Sequence, residues 1–240
     1  MSAPKMHPFV TILRNCILIL LSVNLLGCAL FKEQQAEPSE TVLPAEVSYL
    51  LDVALKAEFG GSNNERVKKW ADEMRVYLSD TVSTELQAEF TAIQTEINAL
   101  AENFKMVRVE EPSLANFLIF VSDGETFAQY EPNARPLIKN NDGLVWIYWD
   151  NGFNITRGSM LVDITKLESL DCQKHILREE LTQGLGLLND TFDHPTSIFH
   201  QRYTCFPSYA DIDLALLELF LSNKIQAGMN SNQVLAALGY

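Results

Sequence analysis

The hydrophobic positions after residue 43 follow two patterns, one helical and one extended. Apolar residues spaced three and four apart predict helices over residues 44–60, 82–103, 172–188, 209–222 and 233–238. Short apolar runs between turn residues predict strands over residues 73–79, 115–121, 144–149 and 155–164. Pro132 and Pro136 are interpreted as loop residues. Strands in the first half and helices in the second predict one α+β domain with a small mixed sheet.

The first 30 residues have a different pattern. Lys5 and Arg14 precede an apolar run that begins at Cys16 and ends at the small residues Gly27 and Cys28. A basic segment, a short apolar segment and small residues, in that order, are typical of a secretory signal peptide. An ordinary cleaved signal and an uncleaved anchor helix are the alternatives to a lipoprotein signal. No segment after residue 31 is long and apolar enough to predict a membrane span.

The sequence Leu25-Leu26-Gly27-Cys28 resembles the lipobox of bacterial lipoproteins. The resemblance implies a signal peptide over residues 1–27, a diacylglycerol on the Cys28 thiol and a further acyl chain, such as palmitate, on its amine. Such lipids would hold the protein at a membrane, and the polar residues 28–43 would form a flexible tether to a domain over residues 44–240. Because no Asp follows Cys28, we expect the outer membrane of a bacterial envelope, with the domain facing the periplasm.

Charge narrows the possible partners. The 240 residues include 18 Lys+Arg and 31 Asp+Glu, a formal net charge of −13, and 47% of them are hydrophobic. Loss of Lys5 and Arg14 with the signal peptide would leave 16 basic and 31 acidic residues, a net charge of −15. We expect no nucleic-acid partner, because binding to phosphates requires a basic surface. The apolar fraction is sufficient for a packed core.

Two cysteines remain if Cys16 is removed with the signal peptide and Cys28 carries lipid. In an exported, oxidising compartment Cys172 and Cys205 are expected to form a disulfide. The bridge would close a loop of about 33 residues and stabilise the fold by roughly 3–4 kcal/mol on the chain-entropy account. Two free buried thiols are the alternative.

One predicted helix has the ligand spacing of a zinc metallopeptidase but different side chains. Such enzymes place two histidines at i and i+4, with a glutamate after the first as general base. Here Glu179 and Gln183 occupy the ligand positions, Glu180 the base position, and Asn189 the position of a third ligand. Amides are poor zinc ligands, and an oxygen-only set is better suited to calcium or magnesium. We expect no cofactor, with one divalent metal, zinc or calcium, as the alternative.

Three histidines could supply the missing ligands: His175, His194 and His200. His175 lies one helical turn before Glu179 on the same face, and the other two follow in a loop. The structural alternative is that Glu179 and Glu180 are solvated or paired with neighbours such as Arg178, and that Gln183 hydrogen-bonds a strand edge.

Further residues extend the pattern beyond this helix: Asp190, Ser197-Ile-Phe199, Tyr209-x-x-Ile-Asp213 and Gly228-Met229. On these residues the chain resembles the bacterial lipoprotein family known as domain of unknown function 2927, which is grouped with the zincin-like metallopeptidases. The resemblance implies a zincin-like fold with a long helix of the active-site type. It also implies that Met229 corresponds to the Met-turn beneath a metzincin's metal.

Three hypotheses on function remain. The favoured one is an envelope lipoprotein that binds a peptide, protein or cell-wall component against an edge strand, without efficient hydrolysis. The second is an active metal-dependent peptidase or hydrolase with a rearranged site, in which Glu180 is the catalytic general base. The third is a purely structural envelope protein. Whether the protein is an enzyme stays open in the sequence.

Overall fold

A computed structural model describes residues 42–57, 65–202 and 204–240. The predicted signal peptide, the lipidation of Cys28 and the predicted tether as far as residue 41 lie outside the described residues. Val42–Tyr240 forms one compact unit. Within the described ranges, no helix is both long enough and apolar enough to cross a membrane.

Six strands between residues 69 and 163 form a single sheet. They are β1 (Lys69–Trp70), β2 (Met74–Leu78), β3 (Met106–Val109), β4 (Phe117–Ser122), β5 (Gly143–Trp149) and β6 (Asn154–Asp163). Parallel pairing gives the order β3-β2-β4-β6, with β1 paired in parallel to the start of β6. β5 pairs antiparallel with β6 and, in the described part of the chain, with no other strand. β5 is therefore an edge strand.

Seven helices pack around this sheet in the described ranges: α1 (Ala45–Leu55), α2 (Thr84–Leu100), α3 (Gly124–Tyr130), α4 (Arg135–Ile138), α5 (Leu170–Gln183), α6 (Asp211–Leu221) and α7 (Ser231–Leu238). Ser83 and Ser169 cap the amino ends of α2 and α5 by accepting backbone N–H groups. The main hydrophobic core joins the sheet to α1, α2, α5 and α6, and a smaller core lies beneath α3 and α4. The α+β class predicted from the sequence is confirmed.

The structure contains elements that were not predicted, among them β1, β3 and α3, and it also differs at two prolines and at the end of α5. Pro132 and Pro136 are helical rather than loop residues, because Pro132 begins a 3₁₀ turn and Pro136 lies in α4. Proline fits the first turn of a helix, where its missing N–H is not needed. α5 ends at Gln183 and not near residue 188.

The early end of α5 has a steric cause at Gly186. Its φ is +118°, and a β-carbon there would lie 2.0 Å from the carbonyl oxygen of Lys68. Only glycine adopts this conformation so close to another backbone. The turn after α5 is therefore fixed against the segment that leads into β1.

Candidate functional site

A cleft of about 990 Å³ is lined by β5 and by one face of α5. All seven residues of β5 contribute to its wall. The helix contributes five residues whose spacing places them on one face: His175, Ile176, Glu179, Glu180 and Gln183. Residues 140–142 and 200–202 add to the lining. The structure thus brings five of the seven candidate catalytic and metal-ligand residues into one cavity.

The backbone of β5 presents hydrogen-bonding groups to this cleft. Asp163 donates its N–H to the carbonyl of Asp142 at 2.9 Å, which fixes the alternation of the β5–β6 ladder. Residues of an antiparallel edge strand point their N–H and C=O groups alternately toward and away from the neighbouring strand. The three β5 residues that point these groups away from β6 are Gly143, Val145 and Ile147.

His175 and Glu179 form a buried pair on α5. The Nδ1–H of His175 donates to the carbonyl of Phe206 at 2.8 Å, and Nε2 lies 3.3 Å from Oε2 of Glu179. Burial lowers the pKa of His175, but the hydrogen bond and charge of Glu179 and the Phe206 carbonyl outweigh it. The pKa of His175 is therefore raised above its ordinary value of 6.5, and Glu179 is paired within its own helix.

The next candidate ligand, Gln183, is held by a different partner from the one predicted. Its side-chain amide donates to Oδ1 of Asp190 at 2.8 Å, and both residues line the cleft. Asn189, the predicted third position, lies outside the lining, and its backbone N–H donates to the carbonyl of Val53 at 3.3 Å. The turn at Gly186 therefore brings Asp190, and not Asn189, back to the helix.

Glu180 lies directly against the start of β5. A β-carbon at position 143 would lie 2.4 Å from Oε1 of Glu180 and 2.5 Å from Cγ2 of Ile176. A larger residue at position 143 would therefore have to displace these helix side chains. The Glu180 carboxylate occupies space beside the edge strand that a β5 side chain would otherwise fill.

The remaining histidines lie in the loop between α5 and α6. His200 lines the cleft, with its ring 6.4 Å from that of Phe192. The ring of His194 packs edge-on against Tyr49 at 4.6 Å, and His194 is outside the lining. Of the two, only His200 shares the cleft with His175.

These donors do not fit zinc. Glu179 is bonded to His175, Gln183 to Asp190, and a neutral amide is a weak zinc ligand. Across residues 42–57, 65–202 and 204–240, no three His, Cys, Asp or Glu side chains come together as a metal site.

Arg178 pairs with α2 and not with the neighbouring glutamates of α5. Its guanidinium donates to Glu89 at 2.5 Å and also to Glu96, and it lies 4.5 Å above the Tyr209 ring. Arg178 therefore fixes α5 against the helix behind it, while Glu179 and Glu180 face the cleft. The structural alternative that paired these two glutamates with Arg178 is wrong.

A buried hydrogen-bond network supports the loop behind the cleft. Ser197 Oγ donates to Asp213 Oδ1 at 2.5 Å and lies 2.7 Å from the hydroxyl of Tyr49. Asp213 also accepts the backbone N–H groups of Ile198 and Ala210. Burial raises the pKa of Asp213. Tyr49 was missed in the sequence, where it is one more aromatic residue on the apolar face of α1.

The predicted Met-turn is a structural contact. Gly228 has a φ of +81°, and its N–H donates to the carbonyl of Val67 at 2.8 Å. The carbonyl of Met229 accepts the N–H of Val67 at 2.9 Å. Met229 packs against the main core, outside the cleft lining. The turn therefore holds the segment that carries Lys68 into the cleft.

The predicted disulfide is confirmed. Cys172, in the first turn of α5, is bonded to Cys205. The bridge attaches to α5 the loop that carries Phe206, whose carbonyl holds His175. The disulfide therefore secures one rim of the cleft.

Fold and site together define an α+β protein with an edge strand and a polar helix face on either side of a cleft. The chain belongs to the family described as a protein of unknown function (DUF2927), whose model matches residues 47–239. The match includes all six strands, every helix from α2 to α7, and all of α1 except its first two residues. It confirms the resemblance to domain of unknown function 2927. No curated protein matches the chain.

Proposed function

We propose that the protein binds an extended peptide or protein segment in the cleft by strand addition to β5, without zinc-dependent hydrolysis. The observation that carries this proposal is the outward direction of the N–H and C=O groups of Gly143, Val145 and Ile147. An edge strand with such groups is a template for another extended chain.

The side chains that line the cleft beside β5 also fit an extended peptide bound along that strand. Val145 is half-buried and Trp149 is exposed, so both offer apolar surface to a ligand. Nζ of Lys68 lies 5.6 Å from the Trp149 ring centroid, and burial lowers the pKa of Lys68. A bound chain would therefore gain main-chain hydrogen bonds along β5 and apolar contact at its end.

The helix side of the cleft favours binding over metal-dependent cleavage. Gln183 and Asp190 satisfy each other, and Glu179 is paired with His175. Glu180 packs against Gly143, where it would contact a bound chain. Glu179, Glu180 and Gln183, which have the spacing of a metallopeptidase motif, therefore each have a role in structure or in ligand recognition.

We extend the proposal to fold and location. An antiparallel edge strand facing a helix with the Glu179-Glu180-x-x-Gln183 spacing supports a zincin-like fold. The lipobox resemblance at Cys28 supports a lipid anchor, with the cleft facing the periplasm. Ligands would then be extended segments of envelope proteins or peptides.

Substitution of Val145 by proline tests strand addition. Proline removes the N–H that points into the cleft and leaves the β5–β6 ladder intact, because residue 145 does not bond to β6. The probe is a fluorescein-labelled nonapeptide, Thr-Val-Thr-Val-Lys-Val-Thr-Val-Thr, titrated against the full chain by fluorescence anisotropy. Loss of one main-chain hydrogen bond predicts about tenfold weaker binding.

The control is Val145→Ile, which keeps the N–H, the β-branched shape and the apolar surface, and which we expect to bind as the wild type does. Equal binding by Val145→Pro and wild type, with both folded by circular dichroism, would refute strand addition. Mass spectrometry of the same mixtures tests the hydrolase hypothesis, because cleavage that disappears in Glu180→Gln would support it instead.

A further inference from the structure

The carboxylate of Glu180 occupies the place of a missing edge-strand side chain. Oε1 would lie 2.4 Å from a β-carbon at Gly143, so the carboxylate is at the level of β5 and on the face that β5 turns toward α5. Ile176 is on the same side, 2.5 Å from that β-carbon position. The cleft wall at Gly143 therefore combines one charged and one apolar side chain, both supplied by the helix.

A strand added to β5 would place one of its own side chains beside this carboxylate. Residues opposite each other on neighbouring strands have β-carbons about 4.5–5.5 Å apart and point to the same face of the sheet. The ligand residue opposite Gly143 therefore points toward Glu180. A lysine or arginine side chain at that position is long enough to reach the carboxylate.

Burial makes the identity of this ligand residue important. Only 7% of the surface of Glu180 is exposed, and a bound chain would cover what remains. Covering a carboxylate with an apolar side chain is unfavourable, and covering it with another carboxylate is more so. A cationic side chain adds an opposite charge to the contacts that Glu180 already makes, and it compensates for the loss of the remaining water.

The other end of β5 has the opposite charge. The ammonium group of Lys68 lies beside Trp149, at the last residue of the strand, whereas Glu180 lies at the first. A cationic ligand residue therefore matches the start of β5 and not its end. This polarity gives the bound chain a preferred position along the strand.

We infer that the cleft selects extended segments with a lysine or arginine side chain opposite Gly143, and that Glu180 determines this preference. The inference rests on the proposed strand addition. It names the class of ligand, a basic peptide segment, and the residue that recognises it.

Three acetylated and amidated peptides test the inference: Thr-Val-Thr-Val-X-Val-Thr-Val-Thr with X as Lys, Met or Glu. Binding to the full chain is measured by calorimetry. We expect the Lys peptide to bind about fivefold more tightly than the Met peptide, and the Glu peptide to bind most weakly. In Glu180→Gln the Lys and Met peptides should bind with about equal affinity, within twofold.

The matched control is Glu168→Gln. Glu168 is exposed and outside the cleft lining, and its substitution changes the net charge of the protein by the same amount. The preference for Lys should persist in this variant. Gly143→Ala provides a second test, because its methyl group displaces the Glu180 carboxylate without changing any charge, and we expect it to weaken the preference.

The outcomes separate this inference from the proposed function. If all three peptides bind the wild type equally, or if the preference for Lys persists in Glu180→Gln, the role of Glu180 is refuted and strand addition stands. If none of the peptides binds, strand addition fails and the inference fails with it.

Discussion

The side-chain amide of Gln183 donates a 2.8 Å hydrogen bond to the carboxylate of Asp190, across the turn that follows α5. This contact explains why a neutral amide occupies a position where a zinc peptidase has histidine. The amide supplies the donor that Asp190 accepts, and it holds the residues after Gly186 against the helix. Position 183, which has the ligand spacing of a zinc peptidase, thus has a defined structural use in this protein.

Replacement of Gln183 by glutamate should destabilise the protein more than replacement by methionine. Methionine removes the hydrogen bond, a loss of about 1–2 kcal/mol, whereas glutamate places a second carboxylate against Asp190. Urea unfolding at pH 7 and pH 4.5 would show the excess cost of Gln183→Glu shrinking at the lower pH, where one carboxyl gains a proton. Equal stability of the two variants at pH 7 would contradict this account.

Gly186→Ala should be among the most destabilising single substitutions near the cleft. Alanine is strained at a φ of +118°, and its β-carbon would lie 2.0 Å from the Lys68 carbonyl oxygen. We expect a loss of about 3 kcal/mol or more in the free energy of unfolding. Gly239→Ala is the control, because φ is +95° there and nothing lies within 4 Å of the β-carbon position. Its cost should be about 1 kcal/mol, from backbone strain alone.

The periodic elements of the fold could be predicted from the sequence because their burial follows a regular pattern. β2 alternates buried and half-buried residues, and the predicted range of 73–79 contains the observed Met74–Leu78. β3 was missed because only Met106 of its four residues is buried, so its apolar pattern is too short to read. A strand with few buried positions is held in the sheet by its pairing with neighbouring strands, and that pairing cannot be read from the strand's own sequence.

The site was predictable only as far as the helix extends. Glu179, Glu180 and Gln183 share one face because helical spacing requires it. The backbone angles at Gly186 determine which later residue lies against the helix, and residue spacing does not reveal those angles. The sequence pattern therefore indicated Asn189, whereas Asp190 makes the contact. The contact of Tyr49 with Ser197 joins residues 148 positions apart and has no local signal.

Removal of the disulfide should lower stability without unfolding the protein. Cys172 and Cys205 are separated by 33 residues, and the chain-entropy account gives roughly 3–4 kcal/mol for a loop of this length. The double variant Cys172→Ala/Cys205→Ala should therefore unfold at lower urea concentration than the wild type. Dithiothreitol should shift the wild type toward the variant and leave the variant unchanged. A variant as stable as the oxidised wild type would contradict the prediction.

Titration of Lys69 should make the free energy of unfolding increase with pH in the alkaline range. Burial lowers the pKa of Lys69 from 10.5 to about 8, although Glu102 opposes the shift. Nζ donates to the carbonyls of Ser222 and Ile225, both at 2.9 Å. Between these two pKa values the unfolded chain binds more protons than the folded one, so a rise in pH favours the folded state.

The measurement compares the wild type with Lys69→Met, which does not titrate at this position. The stability difference in favour of the wild type should grow as the pH rises from about 8 to about 10.5. Lys139→Met, at an exposed lysine, should show a difference that changes little over the same range. A difference that stays flat or falls for Lys69→Met would contradict the lowered pKa.

The contacts of Gln183 and Glu179 with other side chains lead to a prediction about metal binding. The wild-type chain, purified without chelators, should contain zinc well below one equivalent by elemental analysis, because Gln183 and Glu179 already have partners. Stoichiometric zinc that is lost in Glu179→Ala would overturn this expectation and support the hydrolase hypothesis.

Two engineered pairs of histidines should differ sharply in zinc affinity. The side chains at positions 183 and 190 meet at 2.8 Å, so Gln183→His with Asp190→His would place two imidazoles beside Glu179. Gln183→His with Asn189→His has the metallopeptidase spacing, but residue 189 is outside the cleft lining. Calorimetric zinc titration should therefore show tighter binding by the pair at 183 and 190. Tighter binding by the pair at 183 and 189 would mean that the turn after α5 rearranges around a metal, as an active peptidase would require.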